Sequence, residues 1–97
     1  MSKKLFNAWL KISIIMTDKL PDTSPVDCPR CGKNSVDMQY VGDPDTRVGY
    51  LDVWCSSCLH GIHISRVKVP LNDNLFTFET SNEQITKRIL NFKQETP

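Results

Sequence analysis

The four cysteines of this chain stand as two Cys-x-x-Cys pairs, Cys28 and Cys31 in "CPRCGK" and Cys55 and Cys58 in "CSSCLHG". At this spacing the backbone can turn so that both sulfurs face one point while later N–H groups aim at them. Two such turns side by side offer four thiolates to one tetrahedral ion, with Zn–S of ~2.3 Å. Gly32 follows the first pair directly and supplies the left-handed backbone that a tight turn wants. The second pair is followed by Leu59 and His60 before Gly61, which predicts a looser turn with the same number of ligands. The 23 residues from Gly32 to Trp54 accommodate two strands and a turn, so a hairpin would return the chain to its first sulfur pair. Cys28, Cys31, Cys55 and Cys58 are therefore the expected ligands of one structural Zn2+ per chain. Disulfides within the pairs and redox catalysis of the thioredoxin kind compete with that reading. The redox reading wants a reactive pair at a helix N-terminus in a βαβ setting, and neither pair has one.

Other residue types that could do chemistry are fewer. His60 and His63 flank the second pair and could substitute for a ligand or act as a base. With four cysteines filling a tetrahedron, a backbone or solvent contact is the simpler expectation for both. Asp43 and Asp45 in "GDPDTR" resemble the acidic tips of some transcription-elongation proteins, but turn chemistry alone explains Asp-Pro-Asp. For nucleic acid the candidates are Arg47, Arg66, Lys68, Lys87 and Arg88, with Tyr50 and Trp54 as stacking rings. Over Cys28–Val69 five basic residues (Arg30, Lys33, Arg47, Arg66, Lys68) meet four acidic ones (Asp37, Asp43, Asp45, Asp52). A Zn2+ with four thiolates adds a formal charge of about −2, so this segment nets about −1, a poor match for several phosphates. There is no Ser-His-Asp arrangement, phosphate-cradling glycine loop or open metal position, and the expectation is that the chain is not an enzyme.

The elements that must position the cysteines can be read from periodicity. Ser35–Val41 alternates, with Val36, Met38 and Tyr40 on one face and Asp37 and Gln39 on the other. "VGYLDVWC" (Val48–Cys55) and "GIHISRVKV" (Gly61–Val69) are β-rich, so three antiparallel strands are expected. Gly42–Arg47 is the loop between the first two, Pro70 stops the third, and "LNDN" is a turn. "LFTF", Leu75–Phe78, could add a short strand or an anchoring segment. Thr80 and Glu83 fit a capping box before a helix of about Asn82–Lys93, with Ile85, Ile89 and Phe92 on the face that packs inward.

Before the first cysteine, Leu5, Trp9, Ile12 and Met16 fall on one helical stripe widened by Phe6 and Leu10, while Ile14 and Ile15 spoil the polar face. Three readings stand open: an amphipathic helix for a membrane surface or partner, a helix packed on the same domain or pairing two copies, or a native start at Met16. The run is too short to span a bilayer, which takes about 20 apolar residues, and membrane association through residues 5–16 is not expected. No cleavage pattern follows, so the expected compartment is the cytoplasm, where thiols stay reduced. Residues 17–27 are polar with two prolines and read as a linker. The parts are then residues 1–16, 17–27, 28–70 and 71–97.

With 97 residues and a net charge of +1, one small domain is expected, without a field for anionic partners. A core this small gains from a metal. "CPRCG" and "CSSC" with a hairpin between resemble the zinc-ribbon superfamily over Cys28–Val69. "YVGDPDTRVGYLDVWCSSCLHGIHISRVKVP" also looks like small uncharacterised bacterial ribbon proteins of the Bacillus type, a likeness that implies no activity. Rubredoxins share "CPxCG", but their second turn repeats Pro and Gly where this chain has Ser56 and Leu59, leaving iron as the minor alternative. The expected fold is a small metal-stabilised α+β protein: a three-stranded antiparallel zinc ribbon with a helix at each end. Its expected role is a protein-interaction module for another protein or a second copy, with a nucleic-acid or transcription-associated ribbon using Arg66, Lys68, Lys87 and Arg88 as the alternative.

Overall fold

The alternation around Met38 grows by one residue at each end to give β2, Asn34–Gly42, in a computed structural model that describes residues 3–20, 22, 24–70 and 75–95. Helix α1 (Lys3–Asp18) and the short strand β1 (Val26–Asp27) precede it; β3 (Val48–Cys55), β4 (His60–Lys68), helix α2 (Asn82–Arg88) and β5 (Lys93–Gln94) follow. The sheet has the order β1-β2-β3-β4-β5. β1 to β4 pair antiparallel, and β5 lies parallel to β4. The expected three strands are thus the middle of a five-stranded sheet. Each added strand is two residues long, too short for any periodicity to announce it.

The expected linker is also more structured than its composition suggests. α1 continues through Asp18, Leu20 is buried, and Val26 and Asp27 form β1. The "LNDN" turn, residues 71–74, lies outside the described residues. "LFTF" contributes one parallel bridge, Phe76 to Val41, with Gly42 N–H donating to Phe76 O and Phe76 N–H to Tyr40 O.

Turn chemistry closes the β2–β3 hairpin. Asp43 Oδ1 accepts from the N–H groups of Asp45 (2.7 Å) and Thr46 (3.1 Å), and Arg47 takes the left-handed conformation at φ 61°. The hairpin register pairs Val36 with Cys55 and Gly42 with Gly49. Along β4 the apolar positions change phase, from Ile62 and Ile64 to Val67 and Val69. A bulge absorbs the change: Gly49 pairs with Val67, Tyr50 pairs with Ser65, and Arg66 is left over at φ 57°.

One face of the sheet is covered by α1, and part of the other by the C-terminal segment. On one, Val36, Met38, Tyr40, Leu51, Val53 and Ile62 form a core with Trp9, Met16 and Leu20. α1 is therefore packed on its own sheet, through Trp9 (0% exposed) and Met16 (1%), while Ile14 and Ile15 remain exposed. On the other face Val41, Trp54 and Ile89 cluster with Tyr50, Phe76, Ile85 and Phe92. Arg88 fastens α2 there by two hydrogen bonds to the Asp37 carboxylate and one to Met38 O, with its guanidinium 5.3 Å from the Trp54 ring centre. Helix α2 is capped by Ser81, whose Oγ accepts from Gln84 N–H; Thr80 instead accepts from Thr77 N–H. It ends at Arg88 rather than near Lys93. Ile89 turns extended (φ −102°, ψ 106°) so that Phe92 can stack on Trp54 and Lys93 can reach β4.

Candidate metal centre

The two cysteine turns are nearly the same object. In the first, Cys28 O accepts from Gly32 N–H at 2.9 Å, Gly32 sits at φ 79°, and Cys28 Sγ accepts from the N–H groups of Arg30 and Cys31, both at 3.3 Å. In the second, Cys55 O accepts from Leu59 N–H at 2.9 Å, and Leu59 takes the left-handed conformation itself at φ 56°. The N–H groups of Ser57 and Cys58 serve the Cys55 sulfur, and that of His60 serves Cys58. The second turn is thus not looser for want of a glycine. It is the same turn, held with backbone strain that a non-glycine residue must bear. Gly61 has another reason to be glycine: a Cβ there would lie 2.0 Å from Val53 O.

The hairpin brings the turns together, and short polar side chains lace them. Ser56 N–H and Oγ both donate to Ser35 O, the Ser35 and Ser57 hydroxyls are 2.7 Å apart, and Cys28 N–H donates to Lys33 O. Sequence reasoning passed over these serines. The signal was the "SS" inside the second pair, opposite Ser35 across the hairpin.

All four sulfurs lie within 4.8 Å of one another. Cys28 Sγ is 3.8 Å from Cys58 Sγ, and Cys31 Sγ is 3.6 Å from Cys55 Sγ, both pairs crossing between the turns. A tetrahedral site with Zn–S of ~2.3 Å has sulfur–sulfur edges of ~3.8 Å, so the cluster is dimensioned for such an ion. A disulfide would require about 2.05 Å. The four cysteines are free, with Cys28 and Cys55 buried, Cys58 half-buried and Cys31 exposed at the rim.

The cluster is electrostatically uneven. Burial pushes the Cys55 thiol up, but the N–H groups of Cys58 and Ser57 and the neighbouring thiols outweigh it and leave Cys55 at about 6. Cys58 goes the other way, to about 12, through burial and its contacts with the Cys55 and Cys28 thiols. Cys28 is raised by burial, partly offset by the N–H groups of Cys31 and Arg30. One thiolate therefore forms readily near neutral pH, and a cation must displace protons from its neighbours.

The remaining candidate residues go elsewhere. Neither histidine belongs to the sulfur cluster. His60 Nδ1 is 3.0 Å from Glu95 Oε1, which also faces Arg30 at 4.0 Å, and His63 Nδ1 is 2.6 Å from Asp52 Oδ1. Asp43 is consumed by its turn. Trp54, 1% exposed, is unable to stack on a base, and Arg88 is held against Asp37. Arg47 donates to Pro70 O, and exposed Lys87 faces Glu83. Arg66 and Lys68 stay on the surface. No helix among the described residues is long and apolar enough to cross a membrane.

No protein-family model matches this chain, and no curated protein or solved structure is significantly similar to it. The likeness to bacterial ribbon proteins gains nothing from these comparisons, and what stands is a four-cysteine cluster compatible with a zinc-ribbon-like metal site.

Proposed function

We propose that this chain is a ribbon protein that holds one Zn2+ for structural purposes and acts as a protein-interaction module. The four-sulfur cluster, with cross-turn separations of 3.6 and 3.8 Å, carries the reading of the metal. Four thiolates complete a tetrahedron and leave no position for a substrate, which is the arrangement of a metal that holds structure. The interaction role is supported by apolar surface left exposed once α1 has packed on the sheet: Ile14 and Ile15 on its outer side are 59% and 52% exposed.

Metal analysis of the purified protein is expected to return one zinc per chain, and Cys55→Ser to lose the metal and the hairpin with it. A fully folded, metal-free Cys55→Ser protein would overturn the structural role, and a red, iron-loaded protein would overturn zinc. For the interaction role, sedimentation and affinity capture are compared for the parent and an Ile14→Ser/Ile15→Ser double variant. Identical association by both proteins would remove α1 from the interface.

A further inference from the structure

Between the sheet and the C-terminal segment lies an open, groove-like cavity of about 460 Å3, with Asp52 and Ile89 at its buried floor and His63, Asn91 and Gln94 at its exposed rim, that the metal centre does not use. Its volume falls in the range of small-molecule sites, roughly 300–1,000 Å3. Asp52 and His63, direct cross-strand partners on β3 and β4, line one side. Ile85, Ile89 and Leu90 from α2 and its C-terminal end, with Phe92 beyond it, supply apolar surface. Asn91 and Gln94 add side-chain amides.

The histidine is unusually well placed for a core-flanking residue. Asp52, 7% exposed, accepts from His63 Nδ1 at 2.6 Å, and the Tyr50 ring lies 4.9 Å from the imidazole, tilted by 41°. Such a carboxylate partner fixes both the ring orientation and, in the neutral ring, the tautomer, leaving the lone pair on Nε2. Among the described residues no hydrogen bond occupies Nε2. The charge inventory narrows the ligand further. Among the described residues no Lys or Arg lines the cavity, and its one carboxylate and His63 already face each other, so a charged ligand would find no unpaired counter-ion.

We infer that this cavity is a binding site for an uncharged small molecule that offers an N–H or O–H donor to His63 Nε2 and lays an apolar body against Ile85, Ile89 and Phe92. Asp52 is a positioning residue for the histidine, and the Asn91 and Gln94 amides select among donors and acceptors at the rim.

The test uses the full-length, metal-loaded protein and three ring probes, phenol, benzoate and toluene, followed by NMR at the His63 ring and the Ile85 and Ile89 methyls. Phenol is expected to saturate with a Kd of roughly 1 mM, and benzoate and toluene to bind at least about tenfold more weakly. An Asp52→Asn/His63→Phe protein keeps an aromatic ring without the acceptor and is expected to lose that tenfold preference. Leu90→Trp, at a half-open position on the cavity wall, fills the space without touching the core and is expected to abolish binding. Absence of saturable shifts at these three residues, equal affinity for phenol and benzoate, or unchanged binding by folded Leu90→Trp would each overturn the assignment.

Discussion

The Asp52 carboxylate sits in surroundings that oppose its charge. Burial pushes its pKa above the ordinary 3.8, and the hydrogen bond and charge of His63 bring it part of the way back. Because the folded value is raised, the fold favours the protonated acid. Its contribution to stability is complete below the unfolded pKa and is lost as pH rises through the folded one. Near neutral pH the carboxylate therefore costs stability, and His63 limits that cost. His63→Ala is expected to destabilise the protein by about 2 kcal/mol near neutral pH, less than for a fully enclosed pair because the histidine reaches solvent. The difference from the parent should shrink once the pH falls through the raised pKa of the carboxylate, since protonation removes the unpaired charge. Asp52→Asn in the same background should restore most of the loss. Urea unfolding of the metal-loaded proteins across this range measures it, and a penalty that does not change with pH would contradict the argument. Nothing in sequence alone marked this pair. Asp52 and His63 became partners through the β3–β4 register, which spacing does not specify.

At the scale of elements, legibility followed burial contrast. Val36, Met38 and Tyr40 alternate because one face meets α1, and that contrast was readable. Asp37 and Gln39 gave a polar second face, yet the C-terminal segment covers part of it, and Gln39 is 4% exposed. The Arg88–Asp37 bridge that closes this layer joins residues far apart in sequence, so no local pattern foretold it. The bulge between Ile64 and Val67 went unread in a segment taken as one plain strand, and the end of α2 at Arg88 depends on Phe92 meeting Trp54, a tertiary contact. The second cysteine turn shows the same limit. Absence of glycine after Cys58 suggested looseness, but the sulfur cluster and the hairpin impose the tight form, with Leu59 at φ 56°. That conformation costs a residue with a Cβ about 1–2 kcal/mol. Comparing two small side chains at this exposed position isolates the term: Leu59→Gly is expected to be about 1 kcal/mol more stable than Leu59→Ala. Thermal melts of the two zinc-loaded variants measure it. Equal stability would mean that the turn relaxes away from the left-handed form.

For the whole molecule, the metal centre and the C-terminal tail are mechanically joined. Lys93 N–H donates to Leu59 O and Glu95 N–H to Gly61 O, so β5 is bonded to the strand that leaves the second cysteine turn. The Glu95 carboxylate reaches His60 beside that turn and Arg30 within the first. Both jaws of the sulfur cluster thus hold the tail, and the tail in turn forms one wall of the His63 cavity through Gln94. Loss of the ion should release all three together. The proton balance sets the direction: without the ion Cys58 lies near 12 and Cys28 is raised by burial, so protons compete with the metal for these sulfurs. Thiolate ligation is the form the metal-loaded fold requires, so its stabilisation is present at higher pH and is lost as pH falls. Chelation or acidification is therefore expected to strip amide exchange protection from Leu59, Lys93 and Glu95 in one step with Cys31 and Gly32. Hydrogen exchange read residue by residue, with and without chelator, checks this. If Lys93 and Glu95 kept their protection after the cysteine turns had lost theirs, the tail would be held by the sheet alone, and metal loading would have no route to the cavity.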